Sequence, residues 1–129
     1  MNHVLLERAL SVLPNAYAPY SDFCVAAALE CADGSIFTGV NMENASYGAT
    51  LCAERNAFAA AIGTGKCRFV RMLIIGGKQG KIEHFCPPCG ICRQVMRECC
   101  EDDFEIVLYD GKAFKNYTLA QLLPKGFSL

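Results

Sequence analysis

Phe69-Val70-Arg71-Met72-Leu73-Ile74-Ile75 is an apolar, β-branched run that ends in Gly76-Gly77. A run of that length between glycines reads as a buried strand. On either side lie segments of another character. Upstream, residues 51–62 are alanine-rich and read as a helix that Gly63 or Gly65 stops. Downstream, residues 91–100 read as a second helix, and residues 104–109 as a second strand before the Asp110-Gly111 turn. Helix, strand, helix, strand implies parallel pairing through right-handed crossovers.

Further out, the pattern completes a sheet. Residues 23–31 are a short apolar run without a helical stripe, and residues 35–41 contain β-favouring Ile36, Phe37, Thr38 and Val40. Asp33-Gly34 between them predicts a hairpin. Leu5, Leu6, Ala9, Leu10 and Leu13 recur at helical spacing, so a first helix covers residues 2–13 and Pro14 ends it. Residues 112–117 read as a last strand, and Thr118 can cap a short helix over residues 119–123. The economical fold is α/β: a three-layer α/β/α sandwich on a mixed five-stranded sheet. With 129 residues, a single domain over 1–129 is expected.

Composition narrows the function. The formal net charge is -1, so there is no basic field to collect phosphates, and a small neutral substrate fits better than a nucleic acid. Charged residues make up 19% and hydrophobic ones 53%, an apolar balance that suggests surface buried against other subunits or a well-filled core. No apolar run approaches the roughly 20 residues a membrane span needs. The first residues lack the regions of a signal peptide, so the expected address is cytoplasmic. Nine cysteines include the adjacent Cys99 and Cys100, which reads as free thiols and metal ligands rather than a disulfide framework.

Cys52-Ala53-Glu54 and Pro88-Cys89-Gly90-Ile91-Cys92 carry the chemistry. A Cys-x-x-Cys pair at a helix start can chelate one ion from one turn of backbone. Cys52 stands at the other helix start, and helix N-termini favour thiolate over thiol. Two neighbouring parallel strands could present both starts to one point. Cys52, Cys89 and Cys92 are therefore candidate ligands of one Zn2+, with the fourth position left for water, which is a catalytic rather than a structural pattern. Glu54 is the candidate proton carrier beside that water. Three thiolates outweigh the charge of the ion, and Arg55 is expected to compensate by hydrogen-bonding a ligand sulfur.

At these residues the chain closely resembles the small zinc cytidine deaminases. The resemblance also takes in Ala18-Pro19-Tyr20-Ser21, Phe23 with Val25, Asn41-Met42-Glu43-Asn44-Ala45-Ser46-Tyr47, Arg93-Gln94 and Leu122-Leu123-Pro124, in effect the whole chain. It implies that Cys52, Cys89 and Cys92 hold zinc and that Glu54 shuttles protons. It implies that the Ala53 N–H meets the pyrimidine oxygen, that Asn41 and Glu43 grip a sugar hydroxyl, and that Phe23 packs on the nucleoside. Phe127 resembles an aromatic that reaches a neighbour's site, and Ala45 and Tyr47 resemble positions contributed across a subunit contact in a homotetramer. The implied activity converts cytidine, and 2′-deoxycytidine, to the uridine product plus ammonia in pyrimidine salvage.

Ala26 and Cys86 depart from the family pattern. Cys86 leaves a rival open, a closed four-cysteine structural site without activity. A thiol–disulfide oxidoreductase using Cys86/Cys89 or Cys89/Cys92 would leave Cys52 idle. A deaminase of another amino-heterocycle would leave Asn41 and Glu43 without a hydroxyl to hold.

Overall fold

The computed structural model describes residues Met1–Leu129. Its elements run α1 (Asn2–Val12), β1 (Phe23–Cys31), β2 (Ile36–Val40), α2 (Ala53–Gly63), β3 (Phe69–Lys78), α3 (Gly90–Cys99), β4 (Glu105–Tyr109), β5 (Phe114–Thr118) and α4 (Leu119–Leu122). A 3-10 turn, Leu13–Asn15, closes α1 at Pro14, and another spans Tyr47–Ala49. The five strands form one sheet in the order β2-β1-β3-β4-β5. Only β3 and β4 are parallel; β1 pairs antiparallel with both β2 and β3, and β5 pairs antiparallel with β4. The mixed α/β/α sandwich expected from the sequence is the fold.

Strand alternation divides the core into two layers. Ala27, Leu29, Met72, Ile74, Ile106 and Leu108 face one side, with Ala53, Ala57 and Phe58 of α2 and Met96 of α3. Ala26, Ala28, Leu73, Ile75 and Val107 face the other, with Leu5 and Ala9 of α1. All of these are buried, so β1 and β3 lie between two helical layers. That is why their sequences read as continuous apolar runs rather than alternating ones.

Two local features differ from the expected pattern. The strand at residue 69 does not end at the glycine pair; it continues through Gly76 and Gly77 to Lys78, paired with β1 as far as Phe23. These glycines meet close neighbours instead of breaking the strand. A Cβ on Gly77 would lie 1.7 Å from the Lys81 oxygen, and one on Gly76 would lie 2.9 Å from Cys86 Sγ. The second helix starts at Ala53 rather than at residue 51, because Leu51 is taken by a bridge to Met42.

Thr118 caps α4 as expected. Its hydroxyl accepts from Gln121 N at 3.3 Å, and Gln121 Oε1 accepts from Thr118 N at 2.8 Å. This reciprocal pair satisfies two amide groups that a helix start leaves open.

Candidate metal centre

Both helix starts expected to carry sulfur do so. Cys52 is the N-cap of α2 and Cys89 the N-cap of α3; Cys92 is buried one turn into α3. The route to this convergence runs through Gly39 on β2. A Cβ there would lie 2.4 Å from the Ala53 oxygen and 2.5 Å from Ala57 N, so the first turn of α2 rests directly on the β2 backbone. Asn56 fixes the contact by donating Nδ2 to the Val40 carbonyl at 2.7 Å. On the other side, Arg93 donates Nε to the Pro88 carbonyl and Nη1 to the Leu122 carbonyl, each at 2.7 Å. It thereby ties the residue before Cys89 to α4.

The three sulfurs lie within 4.8 Å of one another, and Cys52 Sγ is 3.8 Å from Cys89 Sγ. Tetrahedral zinc with sulfur ligands at about 2.3 Å requires sulfur separations of about 3.8 Å. The cluster therefore fits Zn2+ by spacing and by ligand type. Its charge is arranged to match. Hydrogen bonding from Cys92, then from Arg55 and Cys89, holds the Cys52 thiol down to about 5. The same bond to Cys52, together with burial, pushes the Cys92 thiol up, and binding of a cation at these sulfurs would displace thiol protons. Arg55 Nη2 stands 3.6 Å from Cys52 Sγ and donates to the Thr50 carbonyl at 3.2 Å, the sulfur contact expected from the sequence.

Cys86 does not join the cluster, which consists of Cys52, Cys89 and Cys92. Its side chain packs toward Gly76 and the main core, and burial pushes its thiol up to about 11. It is half-buried and forms part of the cleft wall beside the sulfurs rather than one of the three that converge.

Glu54 is 4% exposed and opens onto the same cleft as Cys52 and Cys89. Burial, with the Cys52 charge as a smaller contribution, pushes its carboxyl above the ordinary value. The cleft holds about 180 Å³ and is closed by Val25, Thr50, Leu51, Cys86 and Pro87, with Ala53, Asn41 and Glu43 at its wall. The first residue of α2 is Ala53, whose N–H is among those a helix start leaves without an intrahelical partner. A wider opening of about 320 Å³, lined by Tyr20, Ser21, Asn44 and Tyr47, meets the cleft at Glu43 and Thr50.

Asn41 and Glu43 flank Met42, which bridges both Tyr17 and Leu51, so they sit just beyond β2 on an extended segment. Asn41 is buried and already engaged. Its Oδ1 accepts from Val25 N at 2.9 Å, and its Nδ2 donates to the Phe23 carbonyl at 2.8 Å. Glu43 Oε1 accepts from Tyr20 N at 2.9 Å and from Ser21 N at 3.2 Å.

Other expected residues lie farther out. Phe23 is 40% exposed and is not part of the cleft wall, where Val25 stands instead. Ala45 is exposed, Tyr47 is 83% exposed at the rim, and Phe127 is 68% exposed with its carbonyl held by Gln94 at 2.9 Å. Thr50, Leu51 and Pro87 were not read from the sequence as site residues. Only their place beside the metal motifs could have signalled them.

Similarity to known proteins agrees with this geometry. The family model for the cytidine and deoxycytidylate deaminase zinc-binding region matches residues 1–108. A cytidine deaminase of Halalkalibacterium halodurans is 40% identical over 126 residues, covering 97% of this chain and 92% of that one. A probable cytidine deaminase of Dictyostelium discoideum is 41% identical over 134 residues, covering 99% and 87%. The crystal structure of cytidine deaminase from Burkholderia pseudomallei superposes with a TM-score of 0.90 at 39% identity, covering 98% of this chain and 99% of that one.

Proposed function

The chain belongs to the cytidine and deoxycytidylate deaminase zinc-binding family, and from that membership we propose that it hydrolyses the exocyclic amino group of cytidine and of 2′-deoxycytidine. The products are uridine or 2′-deoxyuridine and ammonia, and the metabolic setting is pyrimidine salvage. The observation that carries this reading is a buried carboxyl, Glu54, sharing one small cleft with Cys52 and Cys89, two of three convergent sulfurs. Zinc, when bound, supplies a Lewis acid that makes water nucleophilic near neutral pH.

Cys52, Cys89 and Cys92 would hold the ion, and Arg55 steadies the Cys52 sulfur. Glu54 takes a proton from the attacking water. It delivers that proton to the ring nitrogen beside the amino-bearing carbon, then carries the second proton of the added water to the amino group, which leaves as ammonia as the C–N bond breaks and the ring carbonyl forms. Its raised carboxyl suits the work, because a group that both accepts and returns a proton performs best near the working pH. The Ala53 N–H holds the pyrimidine oxygen, while Asn41 and Glu43 hold a sugar hydroxyl. A cleft of about 180 Å³ is of a size to enclose the base, with the sugar lying toward the wider opening past Glu43.

Exposed Tyr20, Tyr47, Ile91 and Phe127 support burial of surface against further copies, and a homotetramer with sites near the subunit contacts is part of the proposal. No helix is long and apolar enough to cross a membrane.

The test is ammonia release from cytidine, measured together with bound zinc on the purified protein. Glu54→Gln should keep the fold and the zinc and lose about 10²–10⁴-fold in turnover. Retained turnover in that variant removes Glu54 from the mechanism.

A further inference from the structure

Ser21 lies outside the metal cluster, on the loop before β1, yet its hydroxyl is bonded on both sides. Its Oγ accepts from Phe23 N at 3.0 Å, and its hydroxyl donates to Glu43 Oε2. Because the amide can only donate, the hydroxyl hydrogen is committed to the carboxylate. Lys78 Nζ donates to the Ser21 carbonyl at 3.2 Å, and Gln79 N donates to the Asp22 carbonyl at 2.7 Å, so the end of β3 holds this loop in place.

We propose that Ser21 is a positioning residue that sets which sugar substituent the site accepts. The proposal deepens, and rests on, the reading of Glu43 as the group that grips a sugar hydroxyl. A carboxylate offers about four acceptor positions. Tyr20 N and Ser21 N fill those on Oε1, and the Ser21 hydroxyl fills one on Oε2. One acceptor position remains, on the oxygen that Ser21 holds. Asn41, which lines the same cleft as Glu43, has one N–H left after its bond to the Phe23 carbonyl.

The site therefore presents one acceptor and one donor. A hydroxyl satisfies both, giving its proton to Glu43 Oε2 and accepting from Asn41 Nδ2. A fluorine or methoxy substituent satisfies only Asn41 and leaves the carboxylate facing a lone pair. The three donors on Glu43, the Ser21 hydroxyl first, also hold its carboxyl below the ordinary value, which keeps it an acceptor.

The experiment compares kcat and KM for cytidine with those for its 2′-deoxy, 3′-deoxy and 5′-deoxy analogues, using the zinc-loaded protein. In the unaltered protein, the analogue with the largest rise in KM identifies the gripped hydroxyl. Ser21→Ala should raise KM for cytidine about tenfold, far more than it lowers kcat. That penalty should vanish on the analogue lacking the gripped hydroxyl, and Ser21→Thr should restore the discrimination. A uniform loss on every analogue, or no loss at all, overturns the proposal.

A second measurement needs no variant. Fluoro and O-methyl substituents at the gripped carbon should cost the unaltered protein at least as much as deletion of the hydroxyl. Tighter binding of either than of the deoxy analogue overturns the proposal. Glu43→Gln separates the two levels of the argument. If it abolishes discrimination while Ser21→Ala preserves it, the role of Ser21 falls and the sugar reading stands. If Glu43→Gln leaves discrimination intact, the sugar reading falls and takes the Ser21 role with it.

Discussion

Arg55 shows how much one side chain contributes at this centre. Three thiolates leave a zinc site with a net negative charge, and the guanidinium 3.6 Å from Cys52 Sγ offsets it. The contact is held from the protein side by the bond to the Thr50 carbonyl, which limits where the charge can go. Groups that orient a metal ligand typically account for about 10–100-fold in affinity. Arg55→Gln should lose zinc to a competing chelator that much more readily while its circular dichroism is unchanged. Equal retention would mean that the helix ends alone balance the thiolates. Motif spacing made Arg55, the three cysteines and Glu54 legible, because each lies within one helical turn of a helix start. The family pattern suggests Asn41 only as a candidate hydroxyl partner. Its structural work, two bonds into β1, depends on a contact across the sheet that no local pattern encodes. Phe23 falls outside the cleft for a similar reason: strand parity says which residues share a face, not which of them reaches the site.

At the scale of elements, the contact between α2 and β2 decides whether Glu54 and Cys52 reach the cleft at all. It is backbone against backbone, and a methyl group at Gly39 would enter it at 2.4 Å with no flexible side chain to yield. Gly39→Ala should destabilise the protein by about 1–3 kcal/mol. It should also lower zinc content, because the start of α2 must shift. Urea unfolding and metal analysis on the same sample check this; full zinc content with only the stability lost would show that α2 tilts about its first turn. Element order and type could be read from the sequence because apolar runs, the Asp33-Gly34 turn and the Thr118 cap are local signals. The glycines at 76 and 77 misled the reading of β3. Glycine usually punctuates a strand, but here it admits the Lys81 carbonyl and the Cys86 side chain to the sheet. The resemblance supplied what the local signals lacked, since a family pattern records contacts between distant segments.

Across the whole molecule, the consecutive alanines of β1 set the separation of both helical layers from the sheet. Ala27 faces the layer of α2 and α3, and Ala28 faces α1. Each is fully buried, so valine at either position overfills its layer at a cost of about 1–3 kcal/mol. Ala27→Val and Ala28→Val should both lower the melting temperature, but only Ala27→Val should weaken zinc binding and turnover. A matching loss from Ala28→Val would show that strain crosses the sheet. The two-sided strand thus gives this molecule a permissive half and a committed half. Anyone seeking a hardier variant should work on the outer, solvent-facing positions of α1, such as Val4, Glu7 and Leu10, and keep the opposite side as inherited.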